Sequence, residues 1–149
     1  MAKFYRELVV WQKAMALCEA VYGVADALPR TEQFVLAGQL RRAAISVPSN
    51  IDEGHERRSR ADYRRFIAIA CGSLAELETQ LDLVERLYAP APSALATARG
   101  LADETGRLLR AIERSLRAAG VGEAPAHYDA GMPARPGALA ECDEASPQP

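Results

Sequence analysis

The sequence is short of most features that announce chemistry. Its three cysteines, Cys18, Cys71 and Cys142, are an odd number without paired spacing. There is no CxxC and no zinc-like cluster, which excludes a disulfide scaffold and a structural zinc site. His55-Glu56 begins the pattern of a zinc protease, but Ser59 stands where the second histidine is required. His127 has no partner pattern around it, and no phosphate loop or nucleophile–base pair is present. No apolar run approaches the roughly 18 residues needed to span a bilayer. The first residues, Met-Ala-Lys-Phe-Tyr-Arg-Glu, lack the apolar core of a secretory signal. A cytoplasmic protein with no membrane partner and no cofactor is expected. Aromatic residues make up only 6 %, with no aromatic platform of the kind that single-strand binders use. Cys18 and Cys71 occupy apolar helical positions and are expected to be small buried hydrophobes.

What is present is helical periodicity over 149 residues with 49 % hydrophobic content, enough for one domain with a real core. Residues 1–119 hold 17 Lys and Arg against 15 Asp and Glu, whereas residues 120–149 hold one Arg and five acids. The acidity thus belongs to the last 30 residues, where Gly, Pro and Ala dominate and periodicity vanishes. That segment carries too little apolar surface to offset its ordering entropy. It is expected to be a disordered acidic tail, 120–149, behind a bundle, 1–119.

Four helices are expected. The first runs from about Glu7 to Leu28, with one apolar stripe through Leu8, Trp11, Met15, Cys18, Tyr22 and Ala25 and a second through Val10, Ala14, Leu17, Val21, Val24 and Leu28. Pro29 ends it. Thr31 is read as the N-cap of a second helix, Glu32 to about Arg58. Pro48 lies in its middle, and the expectation is a kinked but continuous helix with Ser46 or Ser49 serving the freed backbone groups, the alternative being a break at Val47. Ser59 with Asp62 resembles a capping box and opens a third helix, Arg60 to Tyr88. Its main stripe is Tyr63, Phe66, Ala70, Leu74, Leu77, Leu81, Val84 and Tyr88. Ser93 is read as the cap of a fourth, reaching about Ala118 and carrying Leu95, Ala98, Ala102, Thr105, Leu109, Ile112 and Leu116. Helices of this length joined by short connections run up-down-up-down, an all-α four-helix bundle.

The second helix carries an unusual pair of edges. Ala37, Leu40, Ala44, Val47 and Ile51 form an apolar stripe, and Gln39, Ala43, Ser46, Asn50 and Glu53 keep the same rhythm one position over. The third helix repeats this with Ile69, Ser73, Glu76, Gln80 and Leu83. These polar residues are either a solvated flank or a seam between helices or subunits. Paired carboxylates beside Asn and Ser suit acid–base work in principle, but nothing else in the sequence supports catalysis, and a structural or assembly role is expected. Gly38, Gly54 and Gly72, which are unfavourable in helices, are read as points of close helix approach, with an early end of the second helix as the alternative for Gly54.

Arginines gather around the second turn: Arg57, Arg58, Arg60, Arg64 and Arg65, with Arg41 and Arg42 further back. Helical ion pairs account for some of them, since Glu53–Arg57 and Asp62–Arg65 have suitable spacing. Arg60, Arg64 and Arg65, however, crowd the positive end of the third helix, which points to an anion. Contacts of this kind to a phosphate backbone are salt-dependent and largely sequence-independent.

Four blocks in order carry a family resemblance: Val9-Val10-Trp11-Gln12-Lys13-Ala14; Gln39-Leu40-Arg41-Arg42-Ala43-Ala44; Ser49-Asn50-Ile51-Asp52-Glu53-Gly54; and Gly72-Ser73-Leu74-Ala75-Glu76-Leu77 with Gln80-Leu81. Over about residues 4–118 the chain resembles the bacterial four-helix-bundle family first noticed as proteins encoded by intervening sequences within 23S ribosomal RNA genes. The accessory subunit of diversity-generating retroelements is similar in fold. The resemblance implies a ring-like homopentamer and suggests nucleic-acid binding. Asp52 departs from the small apolar residue that the family pattern favours there. The expectation is a non-enzymatic homo-oligomer that contacts RNA or DNA through Arg41, Arg42, Arg57, Arg58, Arg60, Arg64 and Arg65 and assembles through Gln39, Ser46, Asn50, Glu53, Ser73, Glu76 and Gln80. The alternative is a scaffold that binds a protein, such as a reverse-transcriptase-like neighbour, without nucleic acid.

Overall fold

Prolines and caps set the punctuation of the chain. The computed structural model describes residues 5–118; the expectation of a disordered segment over 120–149 lies outside them. A 3-10 turn at Tyr5–Glu7 leads into α1, Val9–Asp26, and a second at Arg30–Glu32 follows Pro29. Then come α2, Leu36–Glu56; α3, Arg60–Tyr88; and α4, Pro92–Ala118. No strand occurs among the described residues. Helix α1 packs on α2 and α4, and α3 packs on α2 and α4, closing a square. Contacts at Cys18–Ala44, Ser46–Ser73 and Lys13–Glu104 fix the antiparallel registers. The up-down-up-down four-helix bundle is the observed architecture.

The core follows the expected stripes closely in α2, where Ala37, Leu40, Ala44, Val47 and Ile51 are fully buried. In α1 the two stripes separate. Val10, Ala14, Leu17, Val21 and Val24 are buried, while Met15 and Tyr22 are exposed. In α3 Ile67 takes a core place that periodicity had given to Phe66 and Tyr63, which are half-buried at the α2–α3 turn. In α4 Leu95, Ala98, Ala102, Thr105 and Leu109 are buried, and Ile112 and Leu116 pack partly against the core.

Two expected caps are corrected. Thr31 does not start α2; it lies in the 3-10 turn, and α2 begins at Leu36. Glu32 takes over the capping task, its carboxylate accepting the Leu36 N–H at 3.3 Å and the Tyr88 hydroxyl. Gln33 holds the other side of the connection, its amide donating to the carbonyls of Ala25 and Leu28 at the end of α1. Ser93 likewise falls inside α4, which starts at Pro92, a residue whose missing N–H suits the first turn of a helix. Ser59 behaves as expected: its Oγ accepts the Asp62 N–H at 3.0 Å and donates to the Asp62 carboxylate at 2.9 Å. Ala89 ends α3 in the left-handed region, with φ 41°.

Helix α2 is continuous through Pro48. Proline leaves the carbonyl four residues back without its helical donor, and that carbonyl is Ala44's. Neither Ser46 nor Ser49 serves it. Ser49 donates to Ile45, Ser46 bonds to Ser73, and the Cys18 thiol of α1 donates to the Ala44 carbonyl at 3.0 Å. Cys18 is therefore a hydrogen-bonding residue as well as a packing one. Burial, with the Glu19 charge second, pushes its pKa up to about 11, which keeps the proton that this bond needs.

Of the three glycines read as close approaches, only Gly54 is one. A Cβ there would meet Phe66 Cβ at 2.7 Å and Tyr63 Cδ2 at 3.0 Å, so α2 and α3 touch backbone to ring at their turn. At Gly72 a Cβ would meet nothing within 4 Å, and at Gly38 only the Gln33 carbonyl at 3.7 Å.

Candidate functional site: the α2–α3 seam and the arginine end

The polar ladder is hydrogen-bonded around Ser46, and its other members divide between buried and exposed positions. Ser46 and Ser73 share a hydrogen bond of 2.7 Å between α2 and α3. Asn50 donates to the Ser46 carbonyl at 2.7 Å and to the Ser46 hydroxyl at 3.0 Å. Gln80 is 8 % exposed and donates to the Glu76 carboxylate at 3.0 Å. The other Gln80 amide atom, Oε1, is buried with no hydrogen-bond partner among the described residues. Gln39, Glu53 and Glu76 are exposed. The two carboxylates thus lie apart in water, Glu53 paired with Arg57 and Glu76 with Gln80. Both pairs run along a single helix, the ladder's hydrogen bond between helices is Ser46–Ser73, and the carboxylates form no acid–base pair among the described residues. Apolar residues border the ladder on α3: Ile69, Leu83 and Leu87 are 41 %, 43 % and 63 % exposed.

The seven arginines do not form one site. Arg41 is occupied locally: its guanidinium pairs with Asp26 at 2.6 Å, donates to Gln33 Oε1 at 2.9 Å and lies over the Tyr22 ring. It ties α2 to the end of α1. Arg42 is exposed on the same stretch, about 24 Å of helix from Arg58 at 1.5 Å per residue. Arg57 pairs with Glu53 and covers the Phe66 ring, its guanidinium carbon 5.1 Å from the centroid. Arg58, Arg60, Arg64 and Arg65 are exposed and make no ion pair among the described residues. The anticipated Asp62–Arg65 pair does not form, because Asp62 turns back onto Ser59. These four arginines are the exposed cations at the turn.

Topology adds residues that sequence spacing did not bring in. A Cβ on Gly106 would lie 3.2 Å from Leu74 Cδ2, so ten residues onward in α4 and ten back in α3 run level. The last turns of α4 therefore stand beside the first turns of α3. There Arg110, Glu113, Arg114 and Arg117 line a shallow cleft of about 210 Å³, and Arg117 pairs with Glu113 at 2.7 Å. The half of the bundle at this end (5–17, 46–74 and 105–118) carries eleven Lys and Arg against six Asp and Glu; the other half carries five against nine. The bundle has a basic end and an acidic end. The signal was available in the sequence, but only once up-down topology was used to fold the α4 arginines onto the turn.

A second feature lies on the α1–α2 side. Trp11, Met15, Cys18, Ile45, Pro48 and Asp52 line an apolar groove of about 270 Å³. The thiol and the serine hydroxyl that line it are both engaged: Cys18 donates to the Ala44 carbonyl and burial raises its pKa, and Ser49 donates to the Ile45 carbonyl. Phe34 and its neighbour Val35, 97 % and 62 % exposed, lie in the α1–α2 connection at the opposite end of the bundle. Among the described residues no group of three or more His, Cys, Asp or Glu is placed to hold a metal ion, and no helix is long and apolar enough to cross a membrane.

Comparison with known proteins agrees with this architecture. No curated protein sequence matches the chain. A solved structure from Bacteroides thetaiotaomicron, described as a protein of unknown function from the S23 ribosomal protein family, superposes with a TM-score of 0.66 at 25 % identity. The match covers 71 % of this chain and 99 % of that one. The model of the 23S rRNA-intervening sequence protein family matches residues 6–111, which span all of α1 to α3 and most of α4. The chain belongs to the 23S rRNA-intervening sequence protein family.

Proposed function

We propose that this protein is a non-enzymatic, cytoplasmic homo-oligomer that contacts nucleic acid through the arginines at its α2–α3 turn. One observation carries the reading: Arg58, Arg60, Arg64 and Arg65 stand together, exposed, without carboxylate partners among the described residues. Three of them occupy the first two turns of α3, where the helix dipole disfavours cations. An anion that bridges them relieves that repulsion, and a phosphate backbone offers several at once. The arginines Arg110 and Arg114 extend the same face. Arg41 and Arg57 hold the bundle together instead, and Arg42 is too distant to join.

Self-association is supported by the seam. Gln80 Oε1 is buried without a partner among the described residues, and buried polar atoms are nearly always bonded. Ile69, Leu83 and Leu87 add exposed apolar surface on the same helix. A second copy laid against α3 would cover both. Repetition of the arginine face around a ring multiplies weak phosphate contacts, and the pentamer implied by the family resemblance would present five. The same exposed leucines favour the second reading, a scaffold whose surface takes a protein partner such as a reverse-transcriptase-like enzyme.

The test is a fluorescence-anisotropy titration of labelled RNA and DNA of equal length against the wild-type chain and the variant Arg60→Glu/Arg64→Glu/Arg65→Glu. Binding by wild type and its loss in the variant, with helicity and mass unchanged, supports the reading. Equal binding by both places the contact elsewhere and overturns it. Light scattering reports the assembly, a pentamer having about five times the 16.1 kDa chain mass.

A further inference from the structure

We propose that the basic end of the bundle is also the docking surface for the acidic segment 120–149 of the same chain, which competes there with the polyanion. This rests on the arginine face argued above and adds its regulation.

Three observations converge on it. The described part of α4 reaches Ala118, level with the first turn of α3. Ala118, to which that segment is joined, therefore lies at the level of Arg60 and Arg64 and away from the acidic end. The segment that follows holds five acids, Glu123, Asp129, Glu141, Asp143 and Glu144, against one basic residue, Arg135. The surface where it emerges has the opposite excess, with Arg58, Arg60, Arg64, Arg65 and Arg114 unpaired among the described residues. Had the segment followed a helix that ends at the other pole, its charge would meet nine acids and be repelled.

Tethering makes this complementarity effective. Thirty residues reach roughly 30 Å in root-mean-square extension if they behave as a flexible chain, farther than the roughly 8–10 Å between neighbouring helix axes. Attachment at that distance gives the carboxylates an effective concentration on the order of millimolar at the arginines. Contacts too weak to survive between separate molecules are then populated within one. A phosphate backbone has to displace them, so the segment lowers affinity at low salt and its influence fades as salt screens both interactions. Sparse, weak competitors would yield first and densely charged polyanions would prevail. The segment thus sets a threshold of charge density for ligands of the arginine face.

The experiment compares the wild-type full chain with a full-length variant carrying Glu123→Gln, Asp129→Asn, Glu141→Gln, Asp143→Asn and Glu144→Gln. The first arm needs no nucleic acid: backbone amide NMR shifts of residues 57–66 are recorded for both at about 50 mM salt, where phosphate-type contacts are strong. Differences concentrated at Arg58–Arg65 support the proposal, and coincident shifts overturn it. The second arm titrates a labelled single-stranded RNA. The neutralised variant is expected to bind at least about fivefold more tightly at low salt, a gap that closes at high salt. Equal affinities at low salt overturn the competition. If neither protein binds RNA while the amide shifts differ, the docking stands and the nucleic-acid reading fails.

Discussion

The thiol of Cys18 on α1 donates its hydrogen bond to the carbonyl of Ala44 on α2, across 3.0 Å. That carbonyl is the one Pro48 cannot serve. A residue on one helix thereby repairs the backbone defect of its neighbour, and α2 passes through its proline unbroken. Cys18→Ala should cost about 1–2 kcal/mol, a lost bond plus an unsatisfied buried carbonyl. In a Pro48→Ala background the restored N–H takes over the Ala44 carbonyl, so the same substitution should cost less by about 1 kcal/mol. A double-mutant cycle from urea unfolding measures this coupling; additive effects would refute it.

The same thiol gives the fold an alkaline weakness. Its pKa stands at about 11 in the native state against an ordinary value of 9.0, raised by burial first and by the Glu19 charge second. Between about pH 9 and 11 the unfolded chain has released a proton that the native chain retains. Stability is therefore full below pH 9 and falls as pH rises through that window. Burial shifts Cys71 and Tyr63 in the same direction, so Cys18→Ala should flatten the decline without abolishing it. Urea midpoints from about pH 8 to pH 11, wild type against variant, provide the measurement.

Two glycines should respond to alanine with opposite signs. At Gly54 the new Cβ runs into Phe66 Cβ at 2.7 Å, and such overpacking costs about 1–3 kcal/mol. This outweighs the roughly 1 kcal/mol that alanine gains as a helix former, so Gly54→Ala should destabilise. At Gly72 the space is open, and Gly72→Ala should stabilise by about 0.5–1 kcal/mol. Ala89→Gly should also stabilise, since Ala89 holds φ 41°, where a side chain is disfavoured. Thermal unfolding of the three single variants decides all of these signs.

Much of the fold was legible because helical spacing is a local property. The α2 stripe through Leu40, Val47 and Ile51 is buried as its period implies, and the Ser59–Asp62 box starts α3 where it should. What stayed hidden depended on partners distant in sequence. Nothing around Thr31 says that Glu32 will be held by Tyr88, 56 residues on, and that the helix will wait until Leu36. Nothing around Pro48 names Cys18 as the donor. Ile67 displaces Phe66 from the core because the missing side chain of Gly54 lets Phe66 and Tyr63 lie over α2. The candidate site shows the same division. Composition located the arginines, but only the packed bundle separates Arg41 and Arg57, which are bound to carboxylates and rings, from Arg58, Arg60, Arg64 and Arg65, which make no ion pair among the described residues.

The central claim is that the exposed arginines of the α2–α3 turn hold a polyanion by charge, and the salt dependence of binding tests it most directly. Affinity for a labelled RNA should be measured by anisotropy at a series of salt concentrations between roughly 50 and 200 mM. The account predicts a linear fall of log K with log salt for the wild-type chain, and a shallower slope when Arg60, Arg64 and Arg65 are replaced by Gln. Absence of binding at the lowest salt, or an affinity indifferent to salt, would contradict it.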